Sequence, residues 1–247
     1  VSQSLRIDLE QYLALRRALR FKLEGEGRLL GQFIGYLERH GLHTITAENA
    51  VNWATLPPLA STGWHAKRLS MARRFAEYLA ARDSSIQVPP TGLIRGGRNR
   101  ATPYLYADTD FAAMVQAATT LRTRLLTITY QTLIGLLRVT GLRISEALRL
   151  DDQDIDAQRE LLTVRQGKFG KSRLVPLHPD TIAALATYQQ CRDQLRPHAD
   201  TAALFVNISG ARLGVKSVHY TWPLLVQRAN LEPRPTSRRP RVHDVRH

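Results

Sequence analysis

Apolar residues recur at helical spacing through about the first eighty positions, which predicts an all-helical N-terminal region. Leu9, Leu13, Arg16 and Leu19 share one such spacing, and Leu29, Leu30, Phe33, Ile34 and Leu37 another. A third segment opens at Thr46, whose hydroxyl suits an N-cap. It runs through Val51 and Trp53 to Leu56, where Pro57 and Pro58 stop it. A fourth begins near Ser61 and Thr62 and sets Leu69, Ala72, Phe75, Ala76 and Leu79 on one face. Its other face carries Lys67, Arg68, Arg73 and Arg74, read either as a solvated basic face or as one that contacts phosphates.

Between Asp83 and Pro103 the periodicity fades. Pro89, Pro90, Gly92, Gly96 and Gly97 alternate with Arg95, Arg98 and Arg100, so the stretch reads as an extended basic connector. The expected organisation is a helical domain over 1–88, a linker over 89–103 and a second domain over 104–247. In that second part Asp108 or Thr109 is the expected cap of a helix through Phe111, Met114, Val115 and Ala118. Residues 125–139, apolar on nearly all sides, predict a buried helix. Strands are expected at Leu161 to Val164 and Arg173 to Val175, joined by a hairpin turn at Gly167-Lys168-Phe169-Gly170. Asp180 is the expected cap of a helix bearing Ile182, Leu185 and Tyr188. A short strand follows at Leu204–Val206, then a segment from Ser217 to Asn230 kinked or delayed by Pro223. The fold class is mainly α with a small β-hairpin or sheet.

Charge changes this picture of an ordinary two-domain protein. Among 247 residues, 35 Lys and Arg face 21 Asp and Glu, a net charge of +14 spread over every region of the chain. Such a surface attracts a polyanion, and a basic connector between basic domains suits a protein that wraps a duplex from two sides. Cys191 is the single cysteine, so no intrachain disulfide forms and a reducing, cytoplasmic setting is expected, nucleoid-associated if the polyanion is DNA. The apolar run from Leu125 to Leu137 is too short and too polar to span a bilayer, and no signal peptide opens the chain. The first residue is Val1, which suggests a cut or processed N-terminus. No Cys/His spacing suits zinc, no metal site is expected, and no Gly-x-Ser-x-Gly elbow is present.

Three short stretches carry candidate chemistry. In Thr140-Gly141-Leu142-Arg143-Ile144-Ser145-Glu146-Ala147, Gly141 ends the buried helix and Arg143 precedes a new one. A guanidinium there is electrostatically awkward unless an anion joins it, and Glu146 either orients it or forms a surface pair with it. Lys168 sits at the hairpin tip with Lys171 and Arg173 close behind. It is either a charged turn or a lysine able to reach a groove and protonate a leaving oxygen. The arginines Arg234, Arg238, Arg239 and Arg241 lead, as a DNA-contacting loop or a mobile basic segment, into His243-Asp244-Val245-Arg246-His247. If that stretch is helical, His243 and Arg246 share a face. Two arginines and a histidine around one point suit a phosphoryl transition state, with bidentate donors and a proton carrier.

In this order the motifs Thr-Gly-Leu-Arg-x-Ser-Glu-Ala at 140–147, Gly-Lys-x-Gly-Lys-x-Arg-x-Val-Pro-Leu at 167–177 and His-Asp-Val-Arg-His at 243–247 resemble the tyrosine recombinase, or phage integrase, family, which includes the Xer-type recombinases. The resemblance implies an N-terminal SAM-like core-binding domain and an α+β catalytic domain entered at Pro103-Tyr104-Leu105-Tyr106. It implies that Arg143 and Arg246 clamp the scissile phosphate, Lys168 protonates the leaving 5′-oxygen, His243 is the acid/base and Glu146 supports Arg143. Lys67, Arg68, Arg73, Arg74, Arg95, Arg98, Arg100, Lys171, Arg173, Arg238, Arg239 and Arg241 are the expected DNA contacts. The implied partner is a double-stranded recombination site, bound as a dimer on one site and a tetramer on paired sites, with no cofactor and no membrane.

The implied reaction is attack by a tyrosine to give a 3′-phosphotyrosyl bond. The eight tyrosines, at 12, 36, 78, 104, 106, 130, 188 and 220, all precede the His-x-x-Arg element, whereas the family's nucleophile follows it. The catalytic domain is therefore expected to be incomplete in this chain, which binds DNA without cleaving it. Two other readings stand beside the recombinase. One is a non-catalytic accessory or regulatory DNA-binding protein with an integrase-like body, and the other is a type IB topoisomerase.

Overall fold

A computed structural model of the chain describes residues 2–19, 21, 23–96, 102–165, 171–196, 201–233 and 239–247. The chain divides into two compact units, Val1–Arg100 and Ala101–His247.

The first unit packs four helices: α1 (Ser2–Ala18), α2 (Glu24–Arg39), α3 (Ala47–Thr55) and α4 (Thr62–Ala80). The starts of α3 and α4 follow from side chains able to accept a free amide, whereas α2 opens at Leu23 without a side-chain cap. Thr46 caps α3 through its hydroxyl, with Asn49 reciprocating to the Thr46 N–H, and Ser61 caps α4. The expected apolar faces meet in a core centred on Phe33, Ile34, Leu37, Trp53, Phe75 and Leu79, where Phe33 and Trp53 lie 4.8 Å apart. Leu19 is the exception, exposed just past the end of α1. Ile86 is buried in this core and Ile94 packs against it, while Gln87 N–H donates to Ile45 O at 2.8 Å. Gly96 lies so close to α4 that an added Cβ would stand 2.8 Å from that of Ala66.

The second unit contains α5 (Asp108–Ala118), α6 (Arg124–Thr140), α7 (Ile144–Ala147), α8 (Pro179–Leu195) and α9 (Val215–Arg228). Its sheet has three antiparallel strands in the order β1 (Ile155–Asp156), β2 (Leu161–Val164) and β3 (Arg173–Pro176). Leu162 faces Val175 across the ladder and Val164 faces Arg173. The helix α6 is the spine, with Leu133, Ile134, Leu136 and Leu137 buried against α5 and α8. Burying each such side chain stabilises the fold by roughly 2 kcal/mol. Its outer edge is less covered than its apolar run implies, and Val139 is exposed.

Three expected details change. The cap of α5 is Ala107, because Asp110 returns its Oδ2 to the Ala107 N–H at 2.9 Å, which a carboxylate at the third helical position does better than one at the first. The cap of α8 is His178, whose Nδ1 accepts from Asp180 N–H at 3.3 Å, with Pro179 at the first helical position. Leu204–Val206 is fully buried yet forms no ladder; only isolated bridges join Asp151 to Ala203 and Val206 to Arg212. Pro223 sits inside a continuous α9. No described helix is long and apolar enough to cross a membrane.

Candidate active site

The site grows from the corner between α6 and α7. Gly141 ends α6 at φ 58°, a left-handed conformation that glycine adopts without a Cβ clash. The chain then turns, Leu142 plugs the core, and Arg143 becomes the N-cap of α7. An arginine cannot accept the free amides of a helix start, so a carboxylate does the fastening. Glu146 accepts from the Arg143 N–H at 3.0 Å and from Arg143 Nη1 at 2.9 Å.

Arg173, on β3, completes that grip. Its Nη1 donates to Glu146 Oε1 at 3.3 Å and its Nη2 to Oε2 at 2.9 Å. Each carboxylate oxygen thus accepts two hydrogen bonds, which fills its lone-pair capacity, and Glu146 is 2% exposed. Burial pushes this carboxyl up, but the bonds from Arg173 and Arg143 outweigh burial and hold its pKa at about 2.

Arg246 arrives from the other end of the unit. Val242–Arg246 forms a 3-10 turn, in which side chains three apart eclipse. Val242 and Val245 face the core, whereas His243 and Arg246 are both exposed. Arg246 Nε donates to Gly141 O at 2.7 Å, so segments 105 positions apart in sequence meet at the α6–α7 corner. Asp244 fastens the turn. Buried at 1% exposure, it accepts from the Arg241 N–H and Nε at 3.1 Å each and from Arg241 Nη2 at 2.7 Å. Behind it, Trp222 Nε1 donates to Tyr106 Oη at 3.1 Å, and Tyr106 Oη donates to Arg241 O at 3.3 Å. Burial pushes the Tyr106 phenol well up, so it stays protonated and able to donate.

Arg143 and Arg246 are therefore held alike. One part of each guanidinium is anchored to the protein, and the remaining N–H groups bond to no described residue. A guanidinium has donors to spare for an anion. Arg143, Arg173 and Arg246 against Glu146 leave the corner net positive, and His243 lies beside Arg246 on the same turn, 6.3 Å from the His247 ring. Among the described residues no group of His, Cys, Asp and Glu could hold a metal ion.

The other expected contacts sort into three sets. Lys168, Arg98, Arg100 and Arg238 lie outside the described residues. Lys171, Arg239, Lys67 and Arg95 are exposed. Arg173 and Arg241 spend guanidinium donors on Glu146 and Asp244, while Arg73 and Arg74 stand 3.5 Å from Glu77 and 3.7 Å from Glu26. Arg68 is a correction. It is 6% exposed, stacks 4.0 Å over the Trp53 ring and donates to Trp53 O at 2.7 Å, so it belongs to the helix packing and not to an exposed basic face. It also lines a cleft of about 750 Å³ together with Phe21, Arg28, Trp64 and Lys67.

Sequence reasoning missed Asp244, the Tyr106–Trp222 pair and the Gly141 carbonyl. One signal was present: Arg143-x-x-Glu146 and Arg241-x-x-Asp244 share a spacing that lets an acid cap a turn and grip the arginine before it.

The profile of the Phage integrase family matches residues 107–247. A protein of Sinorhizobium fredii named as a candidate integrase/recombinase, y4rB, is 40% identical over 245 residues, covering 97% of this chain and 78% of that protein. The tyrosine recombinase XerD of Mycobacterium tuberculosis is 40% identical over 102 residues, or 40% of this chain and 32% of its own. Among solved structures, the XerH site-specific recombinase bound to difH substrate shares the fold with a TM-score of 0.67 at 16% identity, covering 100% of this chain and 72% of that one. A lambda integrase dimer bound to a core site gives a TM-score of 0.64 at 17% identity, covering 98% and 67%.

Proposed function

The chain belongs to the phage integrase family of tyrosine recombinases, whose class of activity is site-specific recombination, and from that premise we propose that Arg143, Arg246 and His243, with Lys168, form a pocket for one phosphodiester of a double-stranded recombination site. The observation that carries this reading is that two half-anchored arginines meet one corner, Arg143 as the cap of α7 and Arg246 through Gly141 O, 105 positions away in sequence. Structural arginines are usually spent on the protein; these two keep N–H groups that bond to no described residue, in a site with net positive charge.

In this reading the free edges of Arg143 and Arg246 bind the non-bridging oxygens and neutralise the charge that builds on them in the transition state. A tyrosine oxygen attacks phosphorus as the bond to the 5′-oxygen breaks. Lys168 supplies the proton that the leaving oxygen takes up, and His243 exchanges the proton of the attacking hydroxyl. The phosphotyrosyl bond conserves the energy for rejoining, so neither metal nor nucleotide is required. The neighbours solved on a difH substrate and on a core site support a DNA partner here, and the exposed Lys67, Arg95, Lys171 and Arg239 are the contacts proposed to its phosphates.

No described tyrosine hydroxyl is bonded within the pocket. In the second unit Tyr104, Tyr130 and Tyr188 are buried, Tyr106 is bonded to Trp222 and Arg241, and Tyr220 is exposed on α9. Residues 1–247 are accordingly expected to bind DNA and leave it uncut. The test is duplex binding across a salt series, with Arg143→Ala/Arg246→Ala as the comparison. Affinity that falls steeply with salt, weakened in the variant, supports the reading; salt-independent binding overturns it. A nicked suicide site incubated with the intact gene product then asks for a covalent protein–DNA adduct, whose absence would sink the enzyme.

A further inference from the structure

Arg173 was expected to touch DNA, yet both of its Nη groups donate to Glu146. Glu146 is shared: the carboxylate that holds Arg173 also holds the backbone and Nη1 of Arg143. A buried carboxylate paired with Arg143 alone would cancel that guanidinium's charge at short range. With Arg173 on the same carboxylate, the trio carries one net positive charge.

We infer that Arg173 is a positioning and charge-balancing residue, which neutralises Glu146 so that Arg143 can be held rigidly by a carboxylate and still attract an anionic oxygen. The proposal rests on the phosphate-pocket reading above and adds to it a residue that acts without touching the anion. Geometry supports the division of labour. Arg173 comes from β3, its side chain is 41% exposed, and the two oxygens of Glu146 each accept one bond from either arginine. Glu146 thereby fixes the distance between the sheet and the α6–α7 corner while leaving the corner electropositive. An arginine and a glutamate alone would give the same rigidity at the cost of the charge. A lone arginine would give the charge without the rigidity.

A charge cycle separates this from a merely structural brace. Residues 1–247 and the variants Arg173→Gln, Glu146→Gln, Glu146→Gln/Arg173→Gln and Arg173→Lys are titrated with sulfate, followed through the side-chain Nε–H resonances of Arg143 and Arg246. The local charge of the trio is one in the wild type, zero in R173Q, two in E146Q and one again in the double variant. Removing one charge at this range weakens sulfate binding roughly tenfold in R173Q. The double variant and R173K return to within about threefold of wild type, and E146Q binds at least as tightly as wild type. A double variant as weak as R173Q overturns the proposal, because loss of a brace is not repaired by deleting its other half. An R173Q variant that binds like wild type overturns it too. Arg143→Gln/Arg246→Gln, which lacks those reporters, is measured alongside through the backbone N–H resonances of Leu142 to Ala147, recorded for every variant. If that pair binds sulfate as wild type does, the phosphate-pocket reading itself fails; if it loses binding and the cycle does not restore it, only the role of Arg173 fails.

Discussion

Protonating Glu146 is the perturbation whose size the structure best defines. Its carboxyl falls from an ordinary value of 4.5 to about 2, held there by Arg173 and Arg143 against the opposing effect of burial. A difference of this size corresponds to about 3 kcal/mol, at ~1.4 kcal/mol for each tenfold change in proton affinity. Both guanidiniums are partly solvated, at 33% and 41% side-chain exposure, so screening reduces the figure to about 2 kcal/mol. Because the folded state binds the proton more weakly than the unfolded state, the contribution is fully present above about pH 5 and is lost as the pH falls from about 4.5 towards about 2. The assay is a carboxyl-carbon NMR titration of residues 1–247, with Glu146 assigned by its absence in Glu146→Gln. At pH ~3.5 an ordinary glutamate is roughly nine-tenths protonated, whereas Glu146 should remain almost wholly ionised. The stability gap between wild type and Glu146→Gln should also stay level from neutral pH to about 5.5 and shrink by about 1 kcal/mol near pH 4. A Glu146 carboxyl that half-titrates between about pH 4 and 5 would refute the account of a carboxylate saturated by two arginines.

Three further outcomes follow from the same structure. Gly141→Ala forces a Cβ into a left-handed conformation and should cost about 1–2 kcal/mol by urea unfolding, while also weakening DNA binding because the carbonyl that holds Arg246 shifts. Unchanged stability would show that this corner tolerates other backbone angles. Arg192, 6% exposed, donates to Asp152 and to the carbonyls of Ala203 and Leu204. Arg192→Met leaves the buried Ala203 and Leu204 carbonyls without this donor and leaves Asp152 only Gln189 Nε2, so it should lower stability by about 3 kcal/mol, read as a fall in melting temperature of the second unit of roughly 6–12 °C. Asp244→Asn keeps an acceptor for the Arg241 N–H but loses the charged pair, so it should cost about 1 kcal/mol and broaden the His243 and Arg246 side-chain resonances. Sharp, unshifted signals there would mean that Asp244 does not fasten the turn.

The local order of elements was legible because it depends on neighbours in sequence. Hydroxyls at Thr46 and Ser61, the proline pair after Leu56, the spacing of Phe33, Ile34 and Leu37 and the glycine at 141 act over one turn of chain, where composition decides the outcome. Caps were less legible: at Ala107 and His178 the winning interaction comes from a carboxylate three residues on, or from an imidazole beside a proline, and several nearby residues could have served. Arg68 shows the same limit for faces, since an arginine at a borderline helical position is drawn inward when Trp53 offers a ring and a carbonyl.

The sequence alone nominated the residues of the candidate pocket, because Thr-Gly-Leu-Arg, then Gly-Lys, then His-x-x-Arg resemble in type and order the motifs of the family. Tertiary structure decided which of the described cations are paired within the protein. Arginines look alike in sequence, and only folding chooses which carboxylate reaches which guanidinium. It gave Arg173 to Glu146 and Arg241 to Asp244, left Arg143 and Arg246 half free, and brought the last turn of the chain back to Gly141. The grip of Arg173 on Glu146 and of Arg246 on Gly141 joins residues far apart in sequence, which no local pattern encodes, whereas Arg241–Asp244 follows a local spacing of three.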